Sequence, residues 1–145
     1  MKHKGNKCDF TDKRNEELLQ AYRKLCSEKT FIESDKLFEE VVNMPASRFW
    51  VSEERTAIVL SQMFNGDKLK NMLPKKREMF FEIFRRAKIL HKKNPQYTLA
   101  ELAQIIVVQP APKFYLTSGS ASVIITYAKK KWYEERRKKL KHLFY

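Results

Sequence analysis

Glycine and proline are scarce in this sequence of 145 residues, which contains three Gly and five Pro. Because a sandwich or barrel of many short strands needs frequent turn residues, this scarcity favours a mainly helical protein. Gly5, Gly66 and Gly119 lie too far apart in sequence to form a glycine-rich loop around a phosphate group. The composition therefore predicts an all-α fold without a glycine-rich nucleotide-binding motif.

Cysteine and histidine are rare as well. Two Cys are too few for a disulfide framework, and neither lies at the spacing of a paired metal-ligand motif. The three His are scattered among lysines, and most acidic residues lie at helical spacing beside Lys or Arg, as on solvated helix faces. We therefore expect a non-enzymatic protein with no metal, no cofactor and no catalytic residue, in a reducing, cytoplasmic setting. A metal-dependent nuclease assembled from residues distant in sequence stays an open alternative.

Long apolar runs are missing, because no stretch approaches the roughly 18 consecutive apolar residues of a membrane span. The first ten residues are basic but are not followed by the apolar segment of a secretory signal. We therefore expect no membrane association. The hydrophobic fraction of 43% is nevertheless sufficient for a buried core, and the length suits one domain or two very small ones.

An internal repeat is the most informative feature of the sequence. Residues 41–61 and 106–126 align without gaps at an offset of 65 residues. Both contain the string Pro-Ala-x-[Arg/Lys]-Phe-[Trp/Tyr]-[Val/Leu]-[Ser/Thr], which helical periodicity does not produce. We therefore interpret the chain as an internal duplication, in which each copy has three helices and a short extended arm at the shared string. The predicted layout is a basic leader (1–11), repeat one (12–66), a connector (67–76), and repeat two with a long basic C-terminal helix (77–145).

Capping residues predict where several of these helices begin. The first helix should start after residues 11–12, and Thr98 should open a capping box at the start of the fifth. Ser52 and Thr117 occupy equivalent positions and should cap the third helix of each repeat. The last helix should run from about residue 120 to residue 140 or beyond, since no helix-breaking residue lies between them.

The formal net charge of +13 is distributed unevenly over the two repeats. Residues 12–61 contain eight basic and ten acidic residues, whereas residues 77–126 contain seven basic and three acidic ones. Residues 127–145 add eight basic and two acidic residues. A basic surface attracts polyanions, because neutralised phosphates release their counterions. The sequence therefore predicts a nucleic-acid partner, DNA rather than RNA, for a protein that acts as a regulator or an architectural factor. The alternative is a helical adaptor or assembly protein that docks an acidic protein through its basic half. Repeat one or the C-terminal helix could also bind a protein partner.

The segment TLAELAQIIV, followed by a capped third helix, resembles the helix-turn-helix class of DNA-binding domains. In that class the turn has about three or four residues, whereas about nine separate the second and third helices here. The resemblance implies that the start of the third helix faces the major groove. It places Thr117, Ser118, Ser120 and Ser122 there in repeat two, which we expect to be the main binding copy.

The shared string adds a basic residue beside an aromatic one in each repeat. Trp50 and Tyr115 could stack on bases, with Arg48 and Lys113 contacting the backbone, or both aromatics could pack between helices. The sequence leaves these two alternatives open. The predicted nucleic-acid-binding residues are therefore Arg48, Trp50, Arg85, Arg86, Lys113, Tyr115, Thr117, Ser118, Ser120, Lys129, Lys130, Lys131, Arg136 and Arg137.

Overall fold

The computed structural model of the protein describes residues 4–29 and 34–144. Within these ranges the chain forms six α-helices and no strand, which confirms the predicted all-α class. The helices are α1 (Lys4–Glu28), α2 (Ser34–Val42), α3 (Glu53–Phe64), α4 (Pro74–Lys93), α5 (Leu99–Val107) and α6 (Ser118–Phe144).

The predicted caps of three helices are confirmed. Ser52 Oγ accepts a hydrogen bond of 3.1 Å from the Arg55 N–H at the start of α3. Thr98 and Glu101 form a reciprocal capping box at the start of α5. Thr117 Oγ1 accepts a hydrogen bond of 3.1 Å from the Ser120 backbone at the start of α6. These bonds satisfy backbone donors that have no partner within the helix.

The predicted start of the first helix is wrong. α1 begins at Lys4, and its helical backbone continues through Thr11 and Asp12. A residue that can cap a helix does not have to mark its start when the preceding residues can also adopt the helical conformation. No proline precedes Thr11 in this sequence. Most of the predicted leader is therefore part of α1.

The chain divides into two compact units, of which the first combines both ends of the described sequence. Unit 1 contains α1, α2 and α6, and each of these helices packs against the other two. Its α1 and α2 lie in the segment predicted as repeat one, whereas α6 lies in the segment predicted as repeat two. The buried side chains of unit 1 include Leu18, Leu19, Leu25, Val41, Val42, Ala121 and Ile125.

Unit 2 is the continuous segment Pro45–Leu116 and contains α3, α4 and α5. All three of these helices pack against one another, and the most extensive packing is between α3 and α5. Here α3 lies in predicted repeat one, and α4 and α5 lie in predicted repeat two. The core includes Phe49, Val59, Leu60, Ile83, Leu102 and Ile106, together with Thr56, whose hydroxyl donates to the Ser52 carbonyl at 2.8 Å.

Two non-helical segments of unit 2 meet at a pair of alanines. Ala46 and Ala111 form an isolated antiparallel bridge, in which each N–H donates to the other's carbonyl at 3.0 Å. The two alanines are separated by 65 residues, which is also the offset of the sequence alignment. Nearby, the Phe49 N–H donates to the Val107 carbonyl at 2.9 Å and fixes the Phe49 ring in the core of unit 2.

Candidate nucleic-acid interface

The fourteen predicted binding residues fall into two groups on the two units. Unit 2 contains Arg48, Trp50, Arg85, Arg86, Lys113 and Tyr115, and unit 1 contains Thr117, Ser118, Ser120, Lys129, Lys130, Lys131, Arg136 and Arg137.

Glu82 holds the two arginines of α4. Arg85 donates two hydrogen bonds to its carboxylate, at 2.9 and 2.8 Å, and Arg86 donates a third at 2.7 Å. Arg86 also donates to the Gln109 side chain and to the Pro110 carbonyl, both at 3.1 Å. These charge-assisted bonds, the Arg85 bonds foremost, lower the pKa of Glu82 from 4.5 to about 2, although partial burial opposes the shift. A phosphate would have to compete with this carboxylate for both guanidinium groups.

We expect Glu82→Gln to lower the free energy of unfolding by about 1–2 kcal/mol at pH 7, because it removes charge-assisted hydrogen bonds to a half-buried guanidinium. The folded-state pKa lies below the ordinary value, so this stabilisation is present above pH 4.5 and disappears as the pH falls towards about 2. Urea denaturation at pH 7 and at pH 3 would measure the difference. Glu54→Gln, an exposed acid on α3, is the matched control. An equal loss at both pH values, or in both variants, would contradict the prediction.

Lys113 and Tyr115 lie beside the same acidic residues. The Lys113 ammonium pairs with Glu78 and lies 5.7 Å from the centre of the Tyr115 ring. Tyr115 is only 7% exposed, and its ring stacks on Phe49 with centroids 6.1 Å apart. Burial, with the nearby negative charge of Glu82, raises the pKa of Tyr115 to about 12. This placement favours packing over base stacking for Tyr115.

Tyr115 also has a backbone φ of +57°, in the left-handed region that residues with a Cβ rarely adopt. Such a conformation costs on the order of 1 kcal/mol. Burial of the Tyr115 ring against Phe49 offsets this cost.

Arg48 and Trp50 form a local pair. The Arg48 guanidinium lies 5.2 Å from the centre of the Trp50 ring, and both side chains are half-buried. Arg48 also donates to the Phe49 carbonyl at 3.0 Å and to the Val51 carbonyl at 3.1 Å. The arginines predicted as phosphate contacts in unit 2 therefore all use hydrogen-bond donors within the protein.

The hydroxyl groups at the start of α6 serve mainly to begin the helix. Besides accepting from the Ser120 backbone, Thr117 donates to the Ser120 hydroxyl at 3.0 Å. Ser118 is half-buried in the first turn. The predicted contacts at this end thus have a local structural role.

The second half of α6 is different, because every side chain from residue 133 to residue 143 is exposed. Of the eight basic residues in α6, Lys131 alone pairs with a carboxylate of another described residue, Asp12, at 3.4 Å. Lys129 lies 4.7 Å from the centre of the Tyr22 ring on α1. The basic residues of α6 without a carboxylate partner among the described residues are Lys129, Lys130, Arg136, Arg137, Lys138, Lys139 and Lys141.

Comparison of the chain with family models, with curated proteins and with solved structures finds no match in any of the three.

Trp132 and Arg23 form a contact that the sequence does not predict. The half-buried Trp132 ring has the Arg23 guanidinium 4.7 Å from its centre and the Arg136 guanidinium at 5.2 Å. Tyr133 packs edge-on against the same ring, with centroids 5.0 Å apart. Arg23 lies on α1 and Trp132 on α6, so neither spacing nor periodicity brings them together in the sequence.

The described residues contain no group of three or more His, Cys, Asp or Glu side chains that could hold a metal ion. In the same part of the chain, no helix combines the length and the apolar character needed to cross a membrane.

Proposed function

We propose that this chain is a small, basic, non-enzymatic nucleic-acid-binding protein and that α6 supplies its main contact surface. The observation that supports the proposal is the exposed second half of α6. It carries five basic residues between Arg136 and Lys141, none of which pairs with a carboxylate elsewhere in the described chain. Exposed, uncompensated cations are the groups that neutralise phosphates most readily.

The pairing of charges explains why α6 is favoured over Arg85, Arg86 and Lys113, the predicted phosphate contacts of unit 2 that have carboxylate partners. At Arg85 and Arg86 a phosphate competes with Glu82 for the guanidinium charge, and at Lys113 it competes with Glu78. Removal of a partly buried carboxylate's partner is unfavourable. The five basic residues from Arg136 to Lys141 have no carboxylate partner among the described residues, so they incur no comparable loss.

We further infer that the two units are copies of one three-helix design, in which the third helix has been exchanged between repeats. The antiparallel pairing of Ala46 with Ala111, which are equivalent in the alignment, supports this inference. The matching caps at Ser52 and Thr117 support it as well. α3 ends at Phe64, and Gly66 follows it with a φ of +100°. The equivalent helix α6 continues to Phe144. The basic extension therefore belongs to one copy only.

A surface of this kind favours an architectural role over sequence-specific regulation. Contacts from Lys and Arg to phosphates position a protein on nucleic acid but carry no sequence information. DNA is the expected partner, and the start of α6, which the helix-turn-helix resemblance assigns to the major groove, is occupied by its own capping bonds.

The test is binding of fluorescently labelled duplex and single-stranded DNA, measured by anisotropy between about 50 and 300 mM salt. We expect affinity that falls steeply with salt, with a log–log slope of about −4 to −6 for the exposed basic residues. Absence of binding at the lowest salt, or binding without a salt slope, would refute the proposal. A protein complex that survives nuclease treatment would instead favour the adaptor alternative.

A further inference from the structure

We propose that Trp132, Arg23 and Arg136 form a stacking site for an unpaired base, so that the chain binds single-stranded nucleic acid in preference to duplex. The inference rests on the proposed function and names the form of nucleic acid that this surface recognises.

The geometry of the cluster is the first argument. The two guanidinium groups lie 4.7 and 5.2 Å from one ring centre, so they are at most about 10 Å apart. Arg23 and Arg136 are both exposed, and the indole between the two helices is half-buried. One guanidinium from α1 and one from α6 thus lie close to the same indole ring.

The hydrogen bonds of these arginines are the second argument. Arg86 lies 4.8 Å from the Phe49 ring centre and Arg48 lies over Trp50, but both donate to carbonyl groups of the protein. Arg23 and Arg136 donate no hydrogen bond to any described residue. Their planar groups therefore remain available to accept a base on one face, while their N–H edges remain available to phosphate oxygens.

The chemistry of an unpaired nucleotide matches this arrangement. Bases in single strands stack on aromatic rings and on guanidinium planes, and each stacked base contributes about 1–3 kcal/mol. In a duplex, the base faces are already stacked on their neighbours and are not accessible. Phosphate contacts alone would therefore bind both forms, and stacking at Trp132 would favour the single strand.

The surroundings of Trp132 indicate on which side the strand passes. Lys129 lies one turn before Trp132 and Arg136 one turn after it, so all three occupy one face of α6. Trp132 also borders a groove of about 160 Å³ that is lined by Asp12, Glu16, Lys131 and Glu135. Lys131 pairs with Asp12, whereas no carboxylate among the described residues pairs with Lys129 or Arg136. We therefore place the nucleic-acid backbone along Lys129 and Arg136.

Trp132 fluorescence gives a direct test. In a Trp50→Phe background Trp132 is the remaining tryptophan, and the variant is titrated with a thymidine or uridine strand of about 15 nucleotides and with a duplex of equal length. We expect quenching by the single strands and little change on duplex binding. Equal quenching by both forms, or quenching by neither while binding occurs, would overturn the stacking site.

Variants of the cluster separate stacking from charge. Trp132→Leu should weaken single-strand binding by about 5- to 100-fold and leave duplex binding within about twofold, whereas Trp132→Phe should restore most of the loss. Arg136→Gln should likewise weaken single-strand binding, and because Arg136 is exposed the substitution should not disturb the fold. Tyr127→Leu, an exposed aromatic on the same helix, is the matched control.

The outcomes distinguish this inference from the function on which it rests. An equal effect of Trp132→Leu on single-strand and duplex binding, or no effect on single-strand binding, refutes the stacking site but leaves nucleic-acid binding intact. Failure of the unmodified chain to bind any nucleic acid refutes both. Binding of an acidic peptide that depends on Trp132 more than nucleic-acid binding does would assign the cluster to a protein partner.

Discussion

Replacement of Arg136, Arg137, Lys138, Lys139 and Lys141 together by Gln is expected to lower nucleic-acid affinity by about 100-fold or more near 0.1 M salt. Each phosphate contact contributes about 0.9 to the log–log salt slope on duplex and about 0.7 on a single strand. Loss of all five should therefore flatten the slope by about 3.5–4.5. The same anisotropy titration measures both quantities. Because these side chains are exposed, the fold should be unaffected, and circular dichroism would verify this.

A control with the same change of net charge is available on unit 2. Lys68, Lys70, Lys76, Lys92 and Lys93 are exposed, and none of them forms an ion pair with another described residue. Their joint replacement by Gln should reduce affinity by less than about tenfold, through the overall field alone. If the two variants lose affinity equally, the chain binds through its total charge rather than through α6.

The largest expected effect on stability comes from Phe49→Ala. The Phe49 side chain is fully buried, stacks on Tyr115 and lies under the Arg86 guanidinium at 4.8 Å. Its removal should lower the free energy of unfolding by about 3–5 kcal/mol, since the lost burial and the remaining cavity both act against the folded state. Urea denaturation followed by circular dichroism measures the change.

Phe81→Ala is the matched control, because Phe81 is on α4 of the same unit and is 47% exposed. We expect this variant to lose less than about 1 kcal/mol. Hydrogen exchange should show the Phe49 effect first in amides of α3, α4 and α5. Similar losses in the two variants would mean that Phe49 is not the centre of the core of unit 2.

Local features of the fold were predictable from the sequence. The caps at Ser52, Thr98 and Thr117 depend on hydrogen bonds over three residues, and the structure confirms them. The start of α1 was not predictable from Thr11, because a capping residue is only one of several competing influences on a helix end. The arrangement of α6 against α1 and α2 depends on contacts across most of the chain, which no local pattern encodes.

The candidate site shows the same division between local and distant interactions. The number of basic residues can be counted in the sequence, but whether each can contact phosphate depends on whether a carboxylate of the protein is already paired with it. The pairing of Arg85 and Arg86 with Glu82 follows from helical spacing of three and four residues and could have been anticipated. The pairing of Lys113 with Glu78 and the contact of Arg23 with Trp132 join distant parts of the chain. Only the folded structure brings them together.

The composition of unit 1 has a consequence for the order in which the protein folds. Unit 2 is continuous in sequence, so all of its helices are synthesised before α6. Leu18, Leu19, Val41 and Val42 of α1 and α2 lack their α6 packing until then, and closing unit 1 joins segments separated by the whole of unit 2. Contacts over such a separation form slowly. We therefore expect unit 2 to fold first, and α6 to pack against α1 and α2 afterwards.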